Sequence, residues 1–308
     1  MKPANIVRLL LLGGMWGMSF IFMRIASPAF GPILTAFGRV SFGGLVLIAL
    51  LLLNNLSLDW RRNARFYLVI GLVNTAVPFS LFSWAALSIP SAYMAIINAM
   101  APLFAALFGA VLLSESLSAV RIFGFVLGVI GVAILVGIGP AHVNFETLSG
   151  IAASVIAAIC YGYAAIYIRQ VAVKAPPLAV AAGSQIAASL FLFPIALIVT
   201  WVHPPSWPTT LYLTVRSVGA IVLLGVICTG IAYALYFRLI ADEGASRAVT
   251  VAFLIPIAAT IWASLFLNER ITIGTLCGMG LVIIAIGLVL GLVRMPHRQW
   301  ISKEQKNN

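Results

Sequence analysis

Apolar runs of about twenty residues recur along the whole 308-residue chain, separated by short clusters of Pro, Gly, Asn and charged residues. Twenty residues of helix are about 30 Å long, which matches the hydrocarbon core of a bilayer. The pattern predicts ten spans, at residues 7–26, 32–53, 66–87, 91–113, 120–138, 148–169, 178–201, 217–240, 246–267 and 271–293. Most breaks are short, so successive spans should run antiparallel. The first run, Val7 to Ala26, is longer than a signal-peptide core and lacks a clear small-residue cleavage site. It is read as a retained span.

Composition agrees with this reading. Hydrophobic residues make up 63% of the chain and charged residues only 8%, against about a quarter charged in soluble domains. The expected fold class is an all-α integral membrane protein. A formal charge of +11 would suit a nucleic-acid binder, but its distribution points elsewhere. Fourteen basic residues, from Lys2, Arg8 and Arg61 to Lys303 and Lys306, fall on the side of the termini. They include Lys174, Arg294 and Arg298. Only Arg24, Arg216 and Arg270 fall on the other side. The positive-inside rule then puts both termini in the cytoplasm. Cys160, Cys228 and Cys277 all sit in apolar runs, so they read as small buried residues, with neither a disulfide framework nor a metal site.

The chain repeats itself. "PLFAALFGAVLLSE" (102–115) returns 154 residues later as "PIAATIWASLFLNE" (256–269). The same offset pairs Gly71 with Gly225, Thr75 with Thr229, Gly124 with Gly278 and Gly137 with Gly291. An offset of 145 pairs Gly17 with Gly162, Arg24 with Arg169, Pro32 with Pro177 and Gly38 with Gly183. The longer second connection, around "HPPSWPTTL" (203–211), accounts for the difference. The expected organisation is a first five-helix repeat (1–140), a link (141–145), a second repeat (146–293) and a polar tail (294–308). An odd number of spans inverts the second repeat. Inverted repeats are common in secondary transporters, whose substrate sites lie near the midplane between the halves.

With "WGMSFIFMR" (16–24) in the first span and the apolar runs ending in Glu115 and Glu269, the chain resembles the drug/metabolite transporter (DMT) superfamily. Within it, the resemblance is to EamA-type ten-helix exporters, including the bacterial YddG-type amino acid exporters, over about residues 5–293. It implies transport of amino acids or related metabolites, without a cofactor. It also implies a central cavity lined by spans 1, 3, 4, 6, 8 and 9, which carry Trp16, Ser19, Asn74, Asn98, Tyr161 and Tyr233 here.

The residues themselves offer further candidates. Trp16, Ser19, Phe20 and Met23 share one helix face. Asn74, Pro78 and Phe79 cluster in the third span, Asn98 precedes Pro102 by four, and Tyr161, Tyr163, Tyr167, Gln185, Tyr233 and Tyr236 are spread over spans 6 to 8. Such side chains suit a ligand with an apolar body and a polar head. Bridging between helices and interfacial packing are the competing roles. Pro78, Pro102 and Pro256 interrupt backbone pairing, as hinges or as tolerated kinks. Arg39, inside the second span, is either a partner for a substrate carboxylate or a structural group bonded to carbonyls.

The acidic residues are Asp59, Glu115, Glu146, Asp242, Glu243, Glu269 and Glu304, all in loops, at helix ends or in the tail, as are His142, His203 and His297. With no mid-span carboxylate to carry a proton, facilitated diffusion is a simpler expectation than proton antiport of drugs or cations. Glu115 and Glu269 are expected to cap the fifth and tenth spans. Gly124 with Gly128, and Gly274 with Gly278, have the spacing for close helix packing, within a monomer in preference to a dimer. No catalytic set, metal cluster or GxxxxGK[ST] loop is visible, which disfavours an intramembrane enzyme or an ATPase. A channel is a distant alternative.

Overall fold

The computed structural model describes residues 1–138, 144–171, 175–202 and 211–291. The tail 294–308, most of the 141–145 link, and His142, Lys174, His203 and His297 lie outside the described residues. The described chain is helical, without strands. The elements are α1 (Pro3–Leu53), α2 (Trp60–Ile70), α3 (Val77–Ala85), α4 (Ser91–Asn98), α5 (Ala101–Leu113), α6 (Ala119–Ile138) and α7 (Phe145–Val171). They are followed by α8 (Pro177–Val202), α9 (Leu211–Gly225), α10 (Ala232–Glu243), α11 (Ala245–Ala248), α12 (Val251–Leu267) and α13 (Ile273–Val289). A π-helical turn joins α2 to α3 (Gly71–Ala76) and another joins α9 to α10 (Val226–Ile231).

Seven helical stretches among the described residues are long and apolar enough to cross a bilayer, and α12 and α13 are shorter apolar helices. Large apolar side chains such as Val111, Leu190, Ile138 and Leu265 are exposed along them. In water such a surface would drive aggregation; facing lipid it has its proper solvent. The protein is an integral membrane protein.

The predicted loop between the first two spans is absent. Helical hydrogen bonding runs through Pro28, and the chain reverses at one residue, Gly31 (φ 76°, ψ 165°). The predicted fourth span, by contrast, is broken at Ala99–Met100. Pro102 has no N–H to donate, and its ring clashes with the carbonyl four residues earlier, that of Asn98. In the second half the break falls earlier in the repeat, at Val249–Thr250, and Pro256 lies inside α12 with its carbonyl bonded by the Thr260 hydroxyl at 2.8 Å.

Close helix contacts come in matched pairs. A Cβ built on Gly71 would sit 2.5 Å from Ala187 Cβ, 2.8 Å from Ser184 O and 3.0 Å from Ala188 N. On Gly225 it would sit 2.5 Å from Phe42 Cβ, 3.0 Å from Arg39 O and 3.1 Å from Gly43 N. Gly17 packs on Ala258 and Ala259 as Gly162 packs on Phe104 and Ala105. Gly124 abuts Ala285 and Val289 as Gly278 abuts Gly131 and Leu135. In every pair the partners are those that the offsets of 145 and 154 interchange. The α6–α13 contact, which also buries Gly128 and Gly274, lies within the single chain.

Glu115 and Glu269 do not cap the helices that come after them. Each succeeds a left-handed residue, Ser114 (φ 54°) or Asn268 (φ 53°), which turns it back toward the bundle. Glu115 pairs with Arg169, whose hydrogen bond holds the carboxyl below its ordinary pKa. Glu269 accepts from Ser91 N (3.0 and 3.1 Å) and Ser91 Oγ (3.1 Å), with Arg24 Nε 4.0 Å away. It therefore caps α4, while α13 is capped by the Thr272 side chain.

A buried arginine among aromatic rings as the candidate functional site

Arg39 stands in the second half of α1 and is 6% exposed. Its Nε donates to Thr229 Oγ1 at 3.1 Å, and its Nη1 lies 3.8 Å from the Met23 sulfur. Its guanidinium carbon sits 3.6 Å from the centre of the Phe79 ring, a cation–π contact. The titratable groups acting on it are Tyr161, Cys228 and Tyr233. None of these is a carboxylate, and no ion pair among the described residues involves Arg39.

The two π turns shape this region. A π turn widens the helix and shifts the register of the residues after it. One carries Asn74, whose side chain lies near Tyr233. The other carries Thr229, whose hydroxyl donates to Leu224 O at 3.1 Å while accepting from Arg39. Tyr233 is four residues beyond Thr229 and meets Trp16 edge-on, with ring centroids 6.2 Å apart. Trp16 also contacts Tyr236 at 5.2 Å. On the other flank, Phe20 meets Phe82 at 5.5 Å, and Phe82 stacks on Tyr161 at 6.2 Å. Trp16, Asn74, Tyr161 and Tyr233 stay half-buried although all lie well inside their helices.

Seven of the nine sequence candidates thus meet: Trp16, Phe20, Arg39, Asn74, Phe79, Tyr161 and Tyr233. Ser19 is buried but bonds the Trp16 carbonyl of its own helix. Asn98 ends α4, and its buried Oδ1 has no hydrogen-bond partner among the described residues. Pro78 comes directly after the first π turn. Met23 belongs to the candidate face of the first span, whereas Thr229 and Phe82 were missed as site residues. The signal for Thr229 was its register with Thr75 and its place one turn before Tyr233. Elsewhere, a groove of about 350 Å³ lined by Phe30, Leu34, Gly38, Phe42, Thr200, Val218 and Ile221 shares no residue with the cluster and is almost wholly apolar.

The model of the EamA-like transporter family matches this chain over residues 5–137 and again over 148–291. The chain belongs to the EamA-like transporter family. This family is part of the DMT superfamily, so the protein is a membrane transporter. It is similar to the uncharacterized transporter YvbV of Bacillus subtilis, with 23% identity over 89% of this chain and 88% of that one. An uncharacterized transporter of Archaeoglobus fulgidus is 22% identical over 89% and 94%. A WAT1-related chloroplastic protein of Arabidopsis thaliana is 26% identical over 89% of this chain and 66% of its own. One solved crystal structure superposes with a TM-score of 0.64 over 95% of this chain and 98% of that one, at 19% identity, a likeness of fold.

Proposed function

We propose that this EamA-family protein is a facilitative exporter of amino acids, aromatic or other neutral ones foremost, and of related small metabolites, working by alternating access. The observation that carries this reading is the cluster around Arg39. It offers a cation and hydrogen-bonding groups (Asn74, Thr229 and the tyrosines) for a polar head, beside rings for an apolar body. The matched contacts across the chain and the two family-model segments support two inverted five-helix repeats. Such repeats would give the site two similar gates. The likeness to a Bacillus subtilis transporter supports a bacterial inner (cell) membrane, and the skew of basic residues supports cytoplasmic termini. The glycine faces used between α6 and α13 support a monomer.

The position of the acidic groups favours facilitated transport: among the described residues every carboxylate is at a helix end or in a loop. The test is counterflow of labelled amino acids into proteoliposomes holding the purified protein, with and without a pH gradient. Saturable uptake indifferent to the gradient is expected. Uptake that requires the gradient would instead favour a proton-coupled exporter of drugs or cations.

A further inference from the structure

We infer that the site recognises its ligand through a carboxylate on Arg39, and that an α-amino group is not needed. The substrate class is then apolar-bodied, chiefly aromatic monocarboxylates, with amino acids as one subset. This inference rests on the transporter reading and narrows its substrate.

Arg39 has unspent donors. A guanidinium has five N–H groups in a fixed fork and stays protonated in proteins. Among the described residues Nε has one oxygen partner, Nη1 has only a thioether sulfur, and Nη2 has no hydrogen-bond partner. A side chain with only 6% exposure would ordinarily be paired with a carboxylate or with several carbonyls. The competing structural role, bonding to backbone carbonyls, is not what Arg39 does; Arg24, by comparison, donates to Ala86 O at 2.6 Å. Phe79 covers one face of the guanidinium, which leaves the in-plane edge for a ligand. A carboxylate fits that edge in a two-pronged, charge-assisted pair.

The same surroundings are poor for an ammonium group. An unneutralised cation repels a second one, most strongly at low dielectric. Among the described residues no carboxylate stands in the cluster to offset a second cation, since all of them lie at helix ends or in loops. The rings of Trp16, Tyr161 and Tyr233 instead give an apolar body surfaces to lie against.

Three compounds on one skeleton separate the possibilities: phenylalanine, 3-phenylpropionate, which lacks the amine, and phenethylamine, which lacks the carboxylate. Labelled phenylalanine and labelled 3-phenylpropionate would each be followed by counterflow at neutral pH, with protein-free vesicles subtracted, and each unlabelled compound would be added as competitor. The expected result is saturable 3-phenylpropionate uptake and competition at least as strong as that of phenylalanine. Phenethylamine should compete about tenfold or more weakly, the cost of a lost charge-assisted bond. If phenylalanine moves but 3-phenylpropionate neither moves nor competes, the inference is overturned and the amino acid reading survives. If 3-phenylpropionate moves and phenylalanine does not, the inference stands without the amino acid reading. Uptake of neither overturns both. Arg39→Gln should erase the preference for 3-phenylpropionate over phenethylamine, and Arg39→Lys should keep part of it. Should Arg39→Gln fail to fold, the wild-type competition series decides alone.

Discussion

Arg39 Nη1 lies 3.8 Å from the sulfur of Met23, sixteen residues earlier and on the other side of the kink in α1. In a straight helix sixteen residues span about 24 Å. Midway between them stands Gly31, with φ 76° and ψ 165°, a conformation open essentially to glycine alone. One residue folds two spans against each other and brings the sulfur to the guanidinium. No atom obstructs a Cβ there, so the cost of Gly31→Ala would be backbone strain alone, about 1–3 kcal/mol. The thermal unfolding midpoint in detergent should fall accordingly, and an unchanged midpoint would mean the turn is not held as described.

Gly71 and Gly225 make equivalent approaches to backbone atoms: a Cβ built on them would sit 2.8 Å from Ser184 O and 3.0 Å from Arg39 O, respectively. A methyl group at either position cannot be relieved by turning a side chain, because the obstacle includes main chain. Gly71→Ala and Gly225→Ala should each destabilise by about 1–3 kcal/mol, as overpacking does. Gly225→Ala pushes on the segment that carries Arg39, whereas Gly71→Ala disturbs the turn that carries Asn74, so Gly225→Ala should weaken the affinity for a carboxylate substrate more. Equal loss of affinity in both variants, measured as KM in proteoliposomes, would contradict this.

The spans and most of the site could be read in the sequence because lipid imposes a simple rule: apolar outward, polar residues few and inward. Trp16, Phe20, Asn74, Phe79, Tyr161 and Tyr233 stood out against an apolar background for that reason. Asn98 stood out equally, yet nothing in a linear pattern distinguishes a residue sealed at a helix end from one that meets the cluster. The π turns at 71–76 and 226–231 also left no periodic signal, because each adds a single residue to one turn. The partners of Glu115 and Glu269 depended on left-handed Ser114 and Asn268, which turn the chain by dihedral choices that residue spacing does not encode.

Those two carboxylates should differ in their response to change. Glu269 holds a backbone N–H and a hydroxyl of Ser91 at the start of α4, in a largely buried position. Glu269→Ala should cost about 1.5–3 kcal/mol, the range for hydrogen bonds to charged groups. Glu115 faces solvent and is held mainly by the Arg169 hydrogen bond, so Glu115→Ala should shift the unfolding midpoint far less. Because that bond depresses the folded-state pKa of Glu115, its contribution is present above the ordinary carboxylate range and is lost as pH falls through the depressed value. The difference in midpoint between wild type and Glu115→Ala should therefore shrink as pH drops below about 4. A difference that grows on acidification would reverse the assigned sign.

Thr229 offers the sharpest separation of positioning from packing. Its hydroxyl accepts from Arg39 Nε and donates to Leu224 O, while its methyl lies against Gly43. Thr229→Val keeps the shape and removes the acceptor, leaving the guanidinium free to swing off the edge a carboxylate would meet. Thr229→Ser keeps the hydroxyl and gives up the methyl. If the threonine aims Arg39, Thr229→Val should raise KM for a carboxylate substrate about tenfold, from the loss of a hydrogen bond to a charged group, and Thr229→Ser should leave it near wild type. If the threonine serves only the helix contact at Gly43, the order reverses. Thr229→Ser would then show the lower unfolding midpoint, and Thr229→Val would transport normally.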